Sequence, residues 1–192
     1  MNHPPGSYDA LLAWALAAPM SGWDFDPVAG RILEKPPPWD YPALARTLVR
    51  AGGGPVLDLG TGGGEVLAGL APLPDRSAAT EAWTPNLPVA RARLAPLGIR
   101  VYPTGDDLAL PFPANTFAVV LARHERYDPV EVRRVLRPGG AFLTQQVSSR
   151  DGLVLRAALG TTPRQVPGGV ELGPLVQAVT DAGLVVARQG GS

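Results

Sequence analysis

Between Val56 and Leu67 the chain reads Val-Leu-Asp-Leu-Gly-Thr-Gly-Gly-Gly-Glu-Val-Leu, an apolar run, an acidic residue, a glycine-rich turn and the start of a helical segment. No other stretch restricts the fold as much. Gly60, Gly62, Gly63 and Gly64 allow a tight turn and bring backbone N–H groups close to a ligand, where a Cβ would stand in the way. A dinucleotide fingerprint needs Gly-x-Gly-x-x-Gly, but counted from Gly60 the sixth position is Glu65, and the third glycine comes one residue early. A phosphate-cradling loop is also excluded, because no Gly-Lys-Ser/Thr follows and the only lysine is Lys35. Glu65 at a helix N-terminus repels a pyrophosphate and tolerates a cationic ligand that carries an amino group.

Around this turn, short apolar runs alternate with helical segments. Pro55 to Leu59, Ser77 to Thr80, Ile99 to Tyr102, Phe117 to Leu121 and Ala141 to Val147 read as strands. Glu65 to Ala71, Pro85 to Ala95 and Pro129 to Leu136 read as the helices between them. Such alternation predicts βαβ units, a parallel sheet and right-handed crossovers, with ligands beyond the carboxyl ends of the strands. Ahead of this region, Ser7 caps a helix from Tyr8 to Ala18, residues 19–38 are a Pro- and Gly-rich loop or lid, and Asp40 caps a helix from Tyr41 to Arg50. The expected division is an N-terminal segment 1–51 of helices and lid, followed by an α/β unit 52–192. Val170 to Ala182 supplies a further helix and Leu184 to Arg188 a sixth strand.

Asp58-x-Gly60-x-Gly62-x-Gly64 resembles motif I of the class I S-adenosylmethionine-dependent methyltransferases, of the type 11-like methyltransferase domain. Leu110-Pro111-Phe112-Pro113-Ala114-Asn115-Thr116-Phe117 is similar to that family's loop into strand four. Arg134-Val135-Leu136-Arg137-Pro138-Gly139-Gly140-Ala141 is similar to its turn into strand five. The resemblance covers roughly residues 40–147 and implies a Rossmann-like, doubly wound, mostly parallel sheet with helices on both faces. It implies S-adenosyl-L-methionine as cofactor, with Gly60, Thr61 and Gly62 along its methionine part and Asp58 ordering the loop or meeting the amino group. Glu81, 21 residues after Gly60, stands where the family's carboxylate takes both ribose hydroxyls. Ala82 and Trp83 then flank the adenine, and Asp106, Asp107 and Leu108 form the acidic turn toward its amino group, with Arg123 as a further cofactor contact.

Two departures stand out. Family members commonly have Phe-Asp where this chain has Phe117-Ala118. The family's sheet normally has seven strands, the last two an antiparallel pair, whereas here only Gln189-Gly190-Gly191-Ser192 follows the sixth expected strand. The C-terminal strand pair is therefore expected to be incomplete, through truncation, natural shortening, rearrangement or a dimer that covers the exposed sheet edge.

Composition narrows the remaining functions. With 17 Lys+Arg against 17 Asp+Glu the net charge is zero, so neither nucleic acid nor anionic lipid is a favoured partner. The absence of Cys removes disulfides, thiolate metal sites and Cys nucleophiles, and two His leave no obvious metal cluster. The run Ala10 to Met20 is too short to span a membrane, and a cytoplasmic monomer or homodimer acting on a small-molecule acceptor is the simplest expectation. His124, after strand four, is the candidate catalytic base, or a loop His bonded to a carbonyl. Gln145, Gln146 and Trp23 are candidate contacts to the acceptor. Methyl transfer leads, a non-catalytic S-adenosylmethionine-binding or regulatory module is the alternative, and nicotinamide chemistry is disfavoured by the glycine spacing.

Overall fold

The structure is a computed structural model, and it describes residues 7–17, 36–105, 108–153, 157, 160 and 170–190. Helix α1 (Tyr8–Ala17) opens with the Leu11 N–H donating to the Ser7 carbonyl. Helix α2 (Tyr41–Gly52) is capped by Asp40, whose side chain accepts from the Ala43 N–H at 3.0 Å, and Gly53 closes it with φ +59°. Tyr41, Ala45 and Val49 recur at helical spacing along the buried face of α2.

Strands β1 (Val56–Leu59), β2 (Ala78–Glu81), β3 (Arg100–Pro103), β4 (Phe117–Arg123) and β5 (Leu136–Gln145) form one parallel sheet in the order β3-β2-β1-β4-β5. Helices α3 (Glu65–Ala68), α4 (Asn86–Leu94) and α5 (Pro129–Val135) link them. The chain runs outward from β1 to β3 and then returns to place β4 on the other side of β1. The order therefore switches between β1 and β4, whose carboxyl ends lie side by side with Leu59 opposite Ala122.

The sheet has apolar packing on both faces, as a doubly wound fold requires. Val56, Ala79, Val119 and Leu121 join Tyr41, Ala45, Leu67, Ala90 and Leu94 in one core cluster. Leu57, Leu59, Val120 and Ala122 join Val132, Val135 and Leu136 in another. Strand alternation breaks once, at the register shift between Phe117 and Val119, so that Ala118 and Val119 both enter the first cluster. Ala118 is fully buried beside Gly52 and Gly54, in a place with no room for a hydrated carboxylate.

Three expectations are corrected. Leu184–Arg188 is not a strand. The helix α6 (Leu172–Asp181) ends with the Gly183 and Leu184 N–H groups turned back to Thr180 and Val179, and Leu184 alone packs on the second core cluster. Val185, 93% exposed, follows without a covered face, and an unbroken apolar run is stable as a strand only when both faces are covered. Strand β5 begins at Leu136 rather than Ala141, because Leu136 pairs with Phe117 ahead of the bulge. Helix α3 stops at Ala68, where Gly69 and the tighter Leu70-to-Leu67 and Ala71-to-Ala68 bonds end it. Among the described residues no helix is long and apolar enough to cross a membrane.

Candidate functional site

The turn after β1 folds as its glycines require, with Gly60, Gly62 and Gly64 at φ +61°, +62° and +84°. A Cβ on Gly60 would also strike the Glu125 carboxylate, and one on Gly64 would stand 2.9 Å from Leu94 Cγ. The first half of the turn, Gly60 to Gly62, is tied to β2. Gly60 N–H donates to Thr80 Oγ1 at 3.3 Å, Thr61 N–H to the Thr80 carbonyl at 2.9 Å, and Gly62 N–H to Glu81 Oε2 at 2.6 Å. The other oxygen of Glu81 accepts from the Trp83 N–H at 2.7 Å. One buried carboxylate thus bridges the glycine turn and the start of the next loop. Arg93 of α4 pairs with Glu65 and donates to the Gly63 carbonyl, so the acidic residue at the head of α3 is matched by a cation.

Beneath the turn, Asp58 is buried, and its carboxyl is pushed up to about 7, first by desolvation and then by the nearby Glu81 charge, with Thr61 opposing the rise. Neither Thr61 Oγ1 nor the Tyr41 hydroxyl, both buried near Asp58, makes a hydrogen bond of acceptable geometry. Burial and the Asp58 charge hold the Tyr41 phenol well above its ordinary value.

Beyond the carboxyl ends of β1, β2, β3 and β4 lies a shallow cleft, open to solvent. It brings together Gly60, Ala82 and Leu108 with Thr80, Thr104, Gly105, Leu110 and the loop Glu125 to Asp128. Trp83, half-exposed, follows Ala82. The wall at Leu108–Phe112 is clamped by α5: the Leu110 N–H donates to Glu131 Oε2 at 2.9 Å, and Arg134 donates to the carbonyls of Phe112 at 2.7 Å and Leu110 at 3.0 Å. Arg134 also forks onto both oxygens of Glu131 at 2.6 and 2.7 Å. That pairing holds the Glu131 carboxyl below its ordinary value.

Other sequence-selected residues fall elsewhere. Arg123 does not line the cleft; its guanidinium lies over the Tyr41 ring at 5.7 Å. Gln146 is used on the protein itself, its Nε2 donating to the Glu125 carbonyl at 3.0 Å and to Thr144 Oγ1 at 2.8 Å. His124 and Gln145 meet at the ends of β4 and β5, with Gln145 Nε2 and His124 Nε2 3.3 Å apart. Partial burial and the Arg123 charge push the imidazole below its ordinary value. Trp23, Asp106 and Asp107 lie outside the described residues.

Sequence reasoning missed Glu125. Its carboxyl packs against Gly60 and is pushed up by burial and by the Glu81 charge, against the opposing N–H and charge of Arg126. Only the adjacency of β1 and β4 brings it there. The signal available in the sequence was the strand order, which sets the loop after β4 opposite the glycine turn.

Residues 57–144 match the family model described as a methyltransferase domain. No curated protein matches the sequence. Among solved structures, the fold is similar to a chain of the complex holding the Haloferax volcanii Trm112 methyltransferase activator, at 23% identity and TM-score 0.57, covering 71% of this chain and 63% of that one. It is similar to a SAM dependent methyltransferase from Aquifex aeolicus, at 22% identity and TM-score 0.55, with coverages of 77% and 81%. It is also similar to the geranyl diphosphate C-methyltransferase of Streptomyces coelicolor, determined with Mg2+, geranyl diphosphate and S-adenosyl-L-homocysteine, at 17% identity, TM-score 0.57 and coverages of 76% and 61%. The chain spans less than two thirds of the first and third of these proteins. The match to the methyltransferase domain thus spans β1 to β5, and the fold is the one these solved methyltransferases share.

Proposed function

We propose that this chain binds S-adenosyl-L-methionine and transfers its methyl group to a small-molecule acceptor. The observation that carries this reading is the Glu81 bridge between the Gly62 and Trp83 N–H groups at the edge of the cleft. Each Glu81 oxygen accepts one backbone N–H and keeps a second lone pair, so the carboxylate can still take a pair of ribose hydroxyls. The residues present fit the cofactor in two further respects. Gly60 and Gly62, at φ +61° and +62°, give the turn the backbone that close approach to a ligand requires, and Gly60, Ala82 and Leu108 line one cleft.

In this reading Gly60, Thr61 and Gly62 hold the amino-acid end and Asp58 orders the turn beneath it. Ala82, Trp83 and Leu108 flank the base, and the Asp106-Asp107 turn takes its amino group. Bound S-adenosylmethionine supplies an electrophilic methyl on a sulfonium whose leaving group needs no activation. The protein's own task is then to hold the acceptor in line and exclude water. His124, Gln145 and Trp23 would contact the acceptor in the same reading.

Calorimetry with S-adenosylhomocysteine tests the cofactor half, with binding expected for the unaltered chain and lost in Glu81→Ala and Gly62→Val. Absence of heat with either cofactor form sinks it. Transfer of labelled methyl to fractionated metabolites tests the rest, and binding without incorporation into any fraction favours a non-catalytic cofactor-binding module.

A further inference from the structure

His124 is one of two histidines in the chain, and its side chain belongs to a short polar series at the ends of β4 and β5. The indole Nε1–H of Trp39 donates to Gln145 Oε1 at 3.1 Å, and Gln145 Nε2 faces His124 Nε2 at 3.3 Å. The protons in this series follow from chemistry. An indole nitrogen only donates, so the amide atom facing Trp39 must be the oxygen, which turns the NH2 group of Gln145 toward the imidazole. An amide NH2 only donates as well, so His124 Nε2 must be the accepting, unprotonated nitrogen. The proton of the neutral ring is then on Nδ1. A charged imidazole would set N–H against N–H and break the series.

The backbone supports the same placement. Trp39 directly follows Pro36-Pro37-Pro38 and precedes the α2 cap Asp40, so its position is set by a stiff approach and a fixed helix start. His124 has φ +61°, a left-handed conformation costing a non-glycine residue about 1–2 kcal/mol, and its N–H donates to the Gln145 carbonyl at 2.8 Å. Pairing of Arg123 with Gln145 carries this register out of the sheet. Strained backbone held by a neighbouring strand is a recurrent way of aiming a functional side chain.

We infer that Trp39 and Gln145 are positioning residues that fix His124 as the neutral, Nδ1-protonated tautomer, so that His124 meets an acceptor molecule as a hydrogen-bond donor. Its proton-accepting lone pair is engaged by Gln145. The matching acceptor chemistry is a group that presents a lone pair, such as a carbonyl, carboxylate or ether oxygen, and the nucleophile itself loses no proton to this ring. The donor role toward an acceptor rests on the methyl-transfer reading. The tautomer is a property of the unliganded protein.

The test is the imidazole 15N spectrum of the full chain labelled in histidine, recorded at alkaline pH without cofactor, with a His3→Gln variant identifying the His124 signals. A protonated Nδ1 and an unprotonated Nε2 are expected. Trp39→Phe should release the ring to a mixture of tautomers. Gln145→Glu should reverse it to the Nε2-protonated form, because a carboxylate accepts from both Trp39 and the ring. A merely structural Gln145 would not produce that reversal. An Nε2-protonated wild-type ring, or tautomers that neither substitution moves in folded variants, overturns the inference. A fixed Nδ1–H tautomer in a protein that binds no S-adenosylhomocysteine upholds the positioning and sinks only the cofactor reading.

Discussion

Glu81 reaches back from the end of β2 to the Gly62 N–H at 2.6 Å and forward to the Trp83 N–H at 2.7 Å, so one side chain sets the shape of two loops. A hydrogen bond to a charged acceptor contributes about 1.5–3 kcal/mol. Glu81→Gln keeps the size of the side chain but has only one oxygen to accept with and sets an NH2 group against an N–H. It is expected to lower unfolding stability by about 2 kcal/mol and to weaken S-adenosylhomocysteine binding by tenfold or more. Urea titration and calorimetry on the same preparation measure both. Unchanged affinity in a folded Glu81→Gln protein would remove Glu81 from the cofactor site.

Asp58 predicts a pH dependence of a definite sign. Its folded value of about 7 lies above the ordinary 3.8, so between those values the folded protein holds a proton that the unfolded chain has released. Stability therefore falls as pH rises through that window and levels off above about 7. The full shift corresponds to at most about 4 kcal/mol. Asp58→Asn should flatten the fall in urea midpoint between mildly acidic and mildly alkaline buffer. Binding of a ligand with an ammonium group favours the ionised carboxyl, so affinity should rise with pH over the same window in the unaltered protein alone. Identical pH profiles for the two proteins would show that Asp58 is not the titrating group.

Glu125 sets a test that separates charge from shape. Its carboxyl packs against Gly60, in the turn assigned to the amino-acid end of the cofactor, and burial together with the Glu81 charge pushes it up. S-adenosylmethionine carries a positive sulfur that S-adenosylhomocysteine lacks. Glu125→Gln removes the charge and keeps the volume, and is expected to weaken the sulfonium form several-fold more than the thioether form, a difference of about 1 kcal/mol. Equal losses for both ligands, by competitive calorimetry, would mean that Glu125 shapes the loop and leaves the sulfur alone.

How much of this was legible beforehand depends on how local the cause is. The cap Asp40, the glycine turn and the buried strands β1 and β4 carry their reasons within a few residues, and the sequence predicts each close to where it lies. Leu136 reads as the last turn of a helix but starts β5, because its partner Phe117 is distant in the chain. Leu184–Arg188 has the composition of a strand, yet strand formation needs a ladder and two covered faces, which composition does not provide. At the site, the place of Glu81 at the end of β2 follows from a recognisable spacing, while its bridge to the Gly62 and Trp83 N–H groups does not. Glu125 against Gly60, and the Trp39, Gln145 and His124 series, exist only through the β1–β4 and β4–β5 pairings.

Arg134 supplies the last prediction, because its four hydrogen bonds hold the wall of the cleft rather than its floor. The guanidinium takes both Glu131 oxygens and the carbonyls of Leu110 and Phe112, and Phe112 stacks edge-on between Tyr102 and Phe117, each with ring centres 5.0 Å away. A lysine keeps the charge but lacks the planar fork needed to reach a carboxylate and two carbonyls together. Arg134→Lys should therefore recover less than half of the roughly 2 kcal/mol lost in Arg134→Ala. Amide exchange at Leu110 and Phe112 should quicken in both variants while that of Val56 to Leu59 in β1 stays slow. If the lysine variant matches the unaltered protein in urea midpoint and in exchange at Leu110, charge alone suffices there and the fork plays no part in holding the wall.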